Sequence, residues 1–182
     1  GGNAVDAAIA ACATLCVVEP AMTGIGGDCF VLYSPRNSSK PIALNGSGKS
    51  PAAANVANLR DRGIEQIEIE TPHAVNVPGA ISAWTQLNTD YGTKDLTELL
   101  QPAINYAENG FPVAPRVALD WADNLPKLLG DEVSSKILTV SGAAPKAGTT
   151  FAQPLLGKTL AAIAKGGRDA FYTGEIAEDM VT

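Results

Sequence analysis

Between Ala4 and Val18 every side chain is apolar except those of Asp6 and Thr14. Asn3 can cap the first turn, Asp6 lies three positions on near the positive helix end, and Pro20 stops the run, so the pattern predicts a helix. A helix apolar on all sides belongs in the interior of a layered domain. The next stretch, VVEPAMTGIGGDCF, leads from that helix to a strand through Pro20, Gly24, Gly26 and Gly27. Its glycines open backbone conformations closed to other residues. CFVLYS then reads as a strand, PRNSSKP as a polar turn and IALN as the returning strand of a β-hairpin.

From Ser50 to Arg62 the Ala-rich PAAANVANLRDRG fits a short helix ending at Gly63, and IEQIEIE (64–70) alternates apolar and acidic residues as a half-buried edge strand does. TPHAVNVPG is extended by its prolines. GAISAWTQLNTDYG follows, with Ile81, Trp84 and Leu87 at helical spacing and Gly92 as a stop. DLTELLQPAINYAENG places Leu96, Leu99, Leu100, Ala103, Ile104 and Ala107 on one stripe, with Pro102 expected to bend or restart the helix and Gly110 to end it. RVALDWADNLPKLL gives another helix, 130–150 a polar connection, and QPLLGKTLAAIAKGG a helix closed by Gly166. GEIAEDMVT begins one more, interrupted in mid-pattern at Thr182, as in part of a larger domain. There is no internal repeat, low-complexity tract or linker. The class is α/β (α+β), with residues 1–182 as one partial domain.

Composition changes this picture in three ways. Charged residues make up 18% of the 182, below the roughly 25% usual in soluble domains, which points to surface covered by another segment or a partner. A formal net charge of −6 with no basic run argues against a nucleic-acid partner, and no apolar run approaches the ~18 residues of a membrane span. Three cysteines, Cys12, Cys16 and Cys29, show no pairing pattern and read as small buried hydrophobes, favouring a reducing compartment such as the cytoplasm over the periplasm.

Two glycine-rich corners carry the candidate chemistry, and together they suggest one pocket wall. TGIGGD presents unhindered N–H groups suited to an anion or a carbonyl oxygen, or else simply allows tight packing between helix and strand. It lacks the third glycine of a dinucleotide fingerprint and precedes a strand rather than a helix. In LNGSGKSP, Ser47 and Lys49 alternate with Gly46 and Gly48, offering a hydroxyl and an ammonium to a carboxylate; a solvent-exposed turn is the other reading. His73, the only histidine, reads as a turn residue, and Cys12 and Cys16 lack the second pair that zinc needs. Nothing in the chain assembles a nucleophile, a base and an oxyanion hole.

The stretch GGNAVDAAIAACATLCVVEPAMTGIGGDCFVLY resembles the start of the large subunit of the γ-glutamyltransferase (γ-glutamyltranspeptidase) family, with its GNAVDAA helix, VEP turn and GIGG loop before a strand. The resemblance continues through VPG followed by Trp84 and Tyr91-Gly92, through LLQPAINYAENGFPV, and through GRDAFYTGEIAEDMV. It implies an N-terminal-nucleophile hydrolase, an αββα sandwich made as a precursor that cuts itself in two. The nucleophile it implies is a Thr at the start of the small subunit, with that Thr's own α-amine as base. The remainder of the large subunit and the small subunit are the implied partners, and no cofactor is implied.

One departure bears on substrate. The Arg that grips the α-carboxylate in the transferases proper falls on Ser47, its Glu neighbour on Gly48, and Lys49 comes two residues after the Arg position. A lone ammonium does not reproduce a planar guanidinium fork. NGSGKSP is similar instead to the oxamate-amidohydrolase-like members. The expectation is a small carboxylate-bearing amide as substrate, with Lys49 contacting the carboxylate, Ser47 supporting it, and Gly46 and Gly48 shaping the corner. The alternatives are true γ-glutamyl transfer or glutathione hydrolysis, and, in another class, a non-catalytic ligand-binding domain.

Overall fold

The computed structural model describes residues 1–69 and 71–181. In chain order the elements are α1 (Ala4–Val18), β1 (Cys29–Tyr33), β2 (Ile42–Gly46), α2 (Val56–Asp61), a 3-10 turn (Pro72–Ala74), α3 (Ala80–Tyr91), α4 (Leu96–Asn109) and β3 (Phe111–Pro112). They continue with α5 (Pro115–Leu129), α6 (Glu132–Leu138), β4 (Thr150–Phe151), α7 (Pro154–Tyr172) and α8 (Glu175–Val181). The class is mixed α/β and mostly helical. Two compact units share the chain, Gly1–Gly24 with Thr85–Thr182, and Ile25–Trp84.

In the first unit α4 packs against both α1 and α7. Leu99, Leu100, Ala103, Ile104 and Ala107 form the buried face of α4, the stripe its spacing predicts, and meet a core that includes Ile9, Ala13, Val17, Leu160 and Ile163. Pro102 sits inside α4 without interrupting it, and the helix ends before Gly110. The α1 N-terminus closes as a full capping box: Asn3 Oδ1 accepts from the N–H groups of Val5 and Asp6, while the Asn3 N–H donates to Asp6. Asp6 is buried and reaches further, accepting from the Thr93 hydroxyl (2.5 Å) and from the Thr93 and Lys94 N–H groups. Burial alone pushes its carboxyl up. The Thr93 hydroxyl and the N–H groups of Asn3, Thr93 and Lys94 outweigh that and hold the pKa at about 2.

The far end of α1 is tied as well. Gln153 Nε2 donates to the Val17 carbonyl (2.7 Å), one of the oxygens a helix C-terminus leaves open, and the Gln153 N–H donates to Ala107 O. Beside it Trp121 meets Phe151 edge to face, ring centroids 4.7 Å apart, and donates its indole N–H to Leu138 O. Trp84 and Trp121 are both buried, as their helical spacing predicts.

Several expectations need correction. Helix α1 is buried along one side only: Ala4, Ala8, Ala11 and Leu15 are exposed, as is Cys12, whereas Cys16 is buried. Small alanines make such a helix read as apolar all round when one stripe suffices to anchor it. The polar connection over 130–150 contains α6, whose start is fixed by Asp131 accepting from the Ser134 N–H. The first segment of α7 ends at Gly166 as expected, since Gly167 breaks the helical path at φ 61; what the pattern does not predict is the second helical segment that runs on to Tyr172 and buries Phe171.

The second unit is built on the predicted hairpin, antiparallel with Cys29 opposite Gly46, Val31 opposite Leu44 and Tyr33 opposite Ile42. Phe30 and Leu32 point to the other face and are 70% and 77% exposed. The helix expected from Ser50 starts only at Val56, because Asn55 Oδ1 accepts the Asn58 N–H and fixes the first turn there. No strand forms over 64–69, and Glu70, the last residue of that stretch, lies outside the described residues, as does Thr182. Ile69 is 89% exposed: alternation cannot make an edge strand without a neighbouring strand to pair with.

Candidate functional site

The two glycine-rich corners meet in the second unit. Gly27 O accepts from the Gly79 and Ala80 N–H groups, both at 3.0 Å, and Lys49 O accepts from the Val77 N–H at 3.0 Å. The segment entering α3 therefore buckles both corners. Its fit depends on missing side chains: a Cβ at Gly79 would collide with Gly46 O, and one at Gly48 with Val77 O. Gly46 ends β2 against the Ala83 methyl. Gly46 and Gly48 thus let backbones cross at contact distance.

A direct bond joins the corners. Asp28 Oδ1 accepts the Gly48 N–H at 2.7 Å across twenty residues of sequence. Asn45 Oδ1 accepts the Ser47 N–H at 3.0 Å. The turn is thereby held at Ser47, Gly48 and Lys49 in succession, by Asn45, Asp28 and Val77. Ser47 and Lys49 are both exposed on it. Among the described residues no ion pair engages the Lys49 ammonium. The arrangement offers one flexible positive charge and one hydroxyl on a fixed backbone, chemistry suited to holding a small anion such as a carboxylate.

Asp28 was not legible as a site residue, since an acidic side chain after a glycine loop carries no spacing signal; only the hairpin register brings it to Gly48. The other singled-out residues stand apart. His73 lies in the 3-10 turn, half-buried, and with Pro51, Leu59 and Arg62 lines a separate cavity of about 120 Å³. In the first unit, Pro20, Ala21, Trp121, Asn124 and Leu138 line a cavity of about 200 Å³ that is mostly apolar. Among the described residues no cluster of His, Cys, Asp and Glu is placed to hold a metal ion. Nor is any helix there long and apolar enough to cross a membrane.

A family model described as gamma-glutamyltranspeptidase matches residues 1–182. The chain belongs to the γ-glutamyltranspeptidase family. Among relatives in this family, the glutathione hydrolase-like YwrD proenzyme of Bacillus subtilis is 38% identical over 183 residues, covering 100% of the chain and 34% of the relative. The oxamate amidohydrolase proenzyme of Klebsiella pneumoniae is 38% identical over 185 residues, covering 98% and 34%. The γ-glutamyltranspeptidase of Helicobacter pylori superposes with a TM-score of 0.91 at 33% identity, over 99% of the chain and 52% of that structure's chain. The fold is accordingly that of the γ-glutamyltranspeptidase N-terminal-nucleophile hydrolases. The chain spans about a third of the length of these two proenzyme relatives.

Proposed function

We infer that the chain is part of an amidohydrolase or acyltransferase of the γ-glutamyltranspeptidase family acting on a small amide that bears a carboxylate. The observation carrying this reading is the corner from Gly46 to Lys49. There an exposed hydroxyl and an ammonium without an ion pair among the described residues stand on a turn held by three hydrogen bonds. The likeness to a relative named for oxamate hydrolysis supports the same substrate class. Lys49 supplies charge to the substrate carboxylate, and Ser47 a directional hydrogen bond.

The bond-breaking step falls to a Thr outside these 182 residues. Its hydroxyl attacks the amide carbonyl while its α-amine takes the proton; the amine departs with a proton, leaving an acyl-enzyme for water or another amine to cleave. These residues alone are then inactive. The exposed Phe30 and Leu32 face of the hairpin suits coverage by the rest of the precursor, the remainder of the large subunit and the small subunit.

A second reading, glutathione hydrolysis or γ-glutamyl transfer, draws support from the likeness to a glutathione hydrolase-like relative. The two separate on the complete self-cleaved precursor, by comparing ammonia release from oxamate with turnover of a γ-glutamyl anilide. Preference for oxamate, weakened about tenfold in KM by Lys49→Ala, is the expected result. Preference for the γ-glutamyl donor, with KM indifferent to Lys49→Ala, would sink the first reading.

A further inference from the structure

We propose that Asp28 is a positioning residue for the substrate-carboxylate subsite, setting its affinity by locking the turn that presents Ser47 and Lys49. The inference rests on the carboxylate reading of that corner. Of the three bonds holding the turn, two come from within the turn's own strand or from backbone: Asn45 to the Ser47 N–H, and the Val77 N–H to Lys49 O. The third, at the central Gly48, is the only one of the three that uses a charged acceptor, and the only one that reaches the other glycine corner. Charge-assisted bonds of this kind are shorter and stronger than neutral ones.

Gly48 is packed against Val77 and Gly79 but has no side chain of its own to fix the turn. A glycine has more backbone freedom to lose than any other residue, and its neighbours Ser47 and Lys49 are exposed and gain nothing from burial. Without the Asp28 bond, the turn samples other conformations, and a ligand must order it on binding. That ordering lowers affinity. Asp28 touches no substrate in this scheme; it acts through the turn.

The test uses the complete self-cleaved enzyme and oxamate as probe, with dissociation constants for the native protein, Asp28→Ala, Asp28→Asn, Lys49→Ala and the Asp28→Ala/Lys49→Ala double variant. Asp28→Ala should weaken oxamate about tenfold, and Asp28→Asn, which keeps an acceptor oxygen, no more than about threefold. In the double variant Asp28→Ala should add almost nothing to the loss from Lys49→Ala, because the turn then has no ammonium to present. Undiminished binding in Asp28→Ala, or losses that simply add, would overturn the positioning role while leaving Lys49 in place. Undiminished binding in Lys49→Ala would remove the subsite itself, and this inference with it. Should Asp28→Ala fail to fold, hydrogen exchange in the native enzyme decides: a Gly48 amide exchanging as fast as a free turn amide refutes the bond.

Discussion

The two units of this chain are held together by opposite means. In the helical unit, Leu100, Ala103, Ala107 and Leu160 are wholly withdrawn from solvent, and α1, α4 and α7 close on one another's side chains. In the hairpin unit the buried residues, Gly79, Ala80, Ile81, Ala83 and Trp84, all lie at its end, and from Ile25 to Pro78 none of the described residues is buried; there order comes from backbone bonds to Gly27 O and Lys49 O and from glycines that let main chains cross. A side-chain core tolerates surface change but not cavities. A backbone-packed corner tolerates loss of side chains but not their addition, and it leaves its exposed side chains free for a ligand.

The largest effect should come from emptying the helical core. Leu100→Ala is expected to lower stability by about 2–5 kcal/mol, read from denaturant midpoints of the complete precursor. Next comes the mirror-image change, Gly79→Ala. The added methyl meets Gly46 O and the Gly48 N, and should cost about 1–3 kcal/mol as the corner is forced apart. Equal tolerance of alanine at Gly79 and at Gly26, where an added methyl meets nothing within 4 Å, would erase the proposed contrast.

A smaller effect should appear on acidification. The Asp6 carboxyl sits at about 2, below its ordinary 3.8, so the unfolded chain binds the proton more readily. Its contribution to stability is therefore complete above 3.8 and lost as pH falls from there toward about 2. Asp6→Asn should flatten the fall in Tm over that interval, and an unchanged slope would show that the buried carboxylate is not what links the α1 N-terminus to the Thr93 loop.

Much of this was legible locally. Asn3 and Asp6 announce the start of α1 because a capping box needs only residues three apart; the α4 stripe and the hairpin follow from periods of 3.6 and 2. The misses differ in cause, one non-local and one local. The acidic alternation of 64–69 describes a strand only if a partner is there to pair with it, and α6 is a helix whose cap, Asp131, is hidden in a polar run. At the site, Ser47 and Lys49 were visible because their residue types suit a carboxylate. Asp28 was not, because its partner lies twenty residues away.

The sequence by itself determined the family, the helices with strong stripes, the hairpin, and the Gly46–Lys49 corner, since each depends on neighbours in the chain or on the ordered succession of motifs. Tertiary structure alone decided which side of α1 is buried, that Gln153 caps its far end, and that the glycine corners share a hydrogen bond and a common buckle at Val77–Ala80. The reason is physical: caps and periodicity act within a few residues, whereas a carbonyl left open at a helix end or an N–H at a turn can be satisfied by any part of the chain that folding brings within about 3 Å.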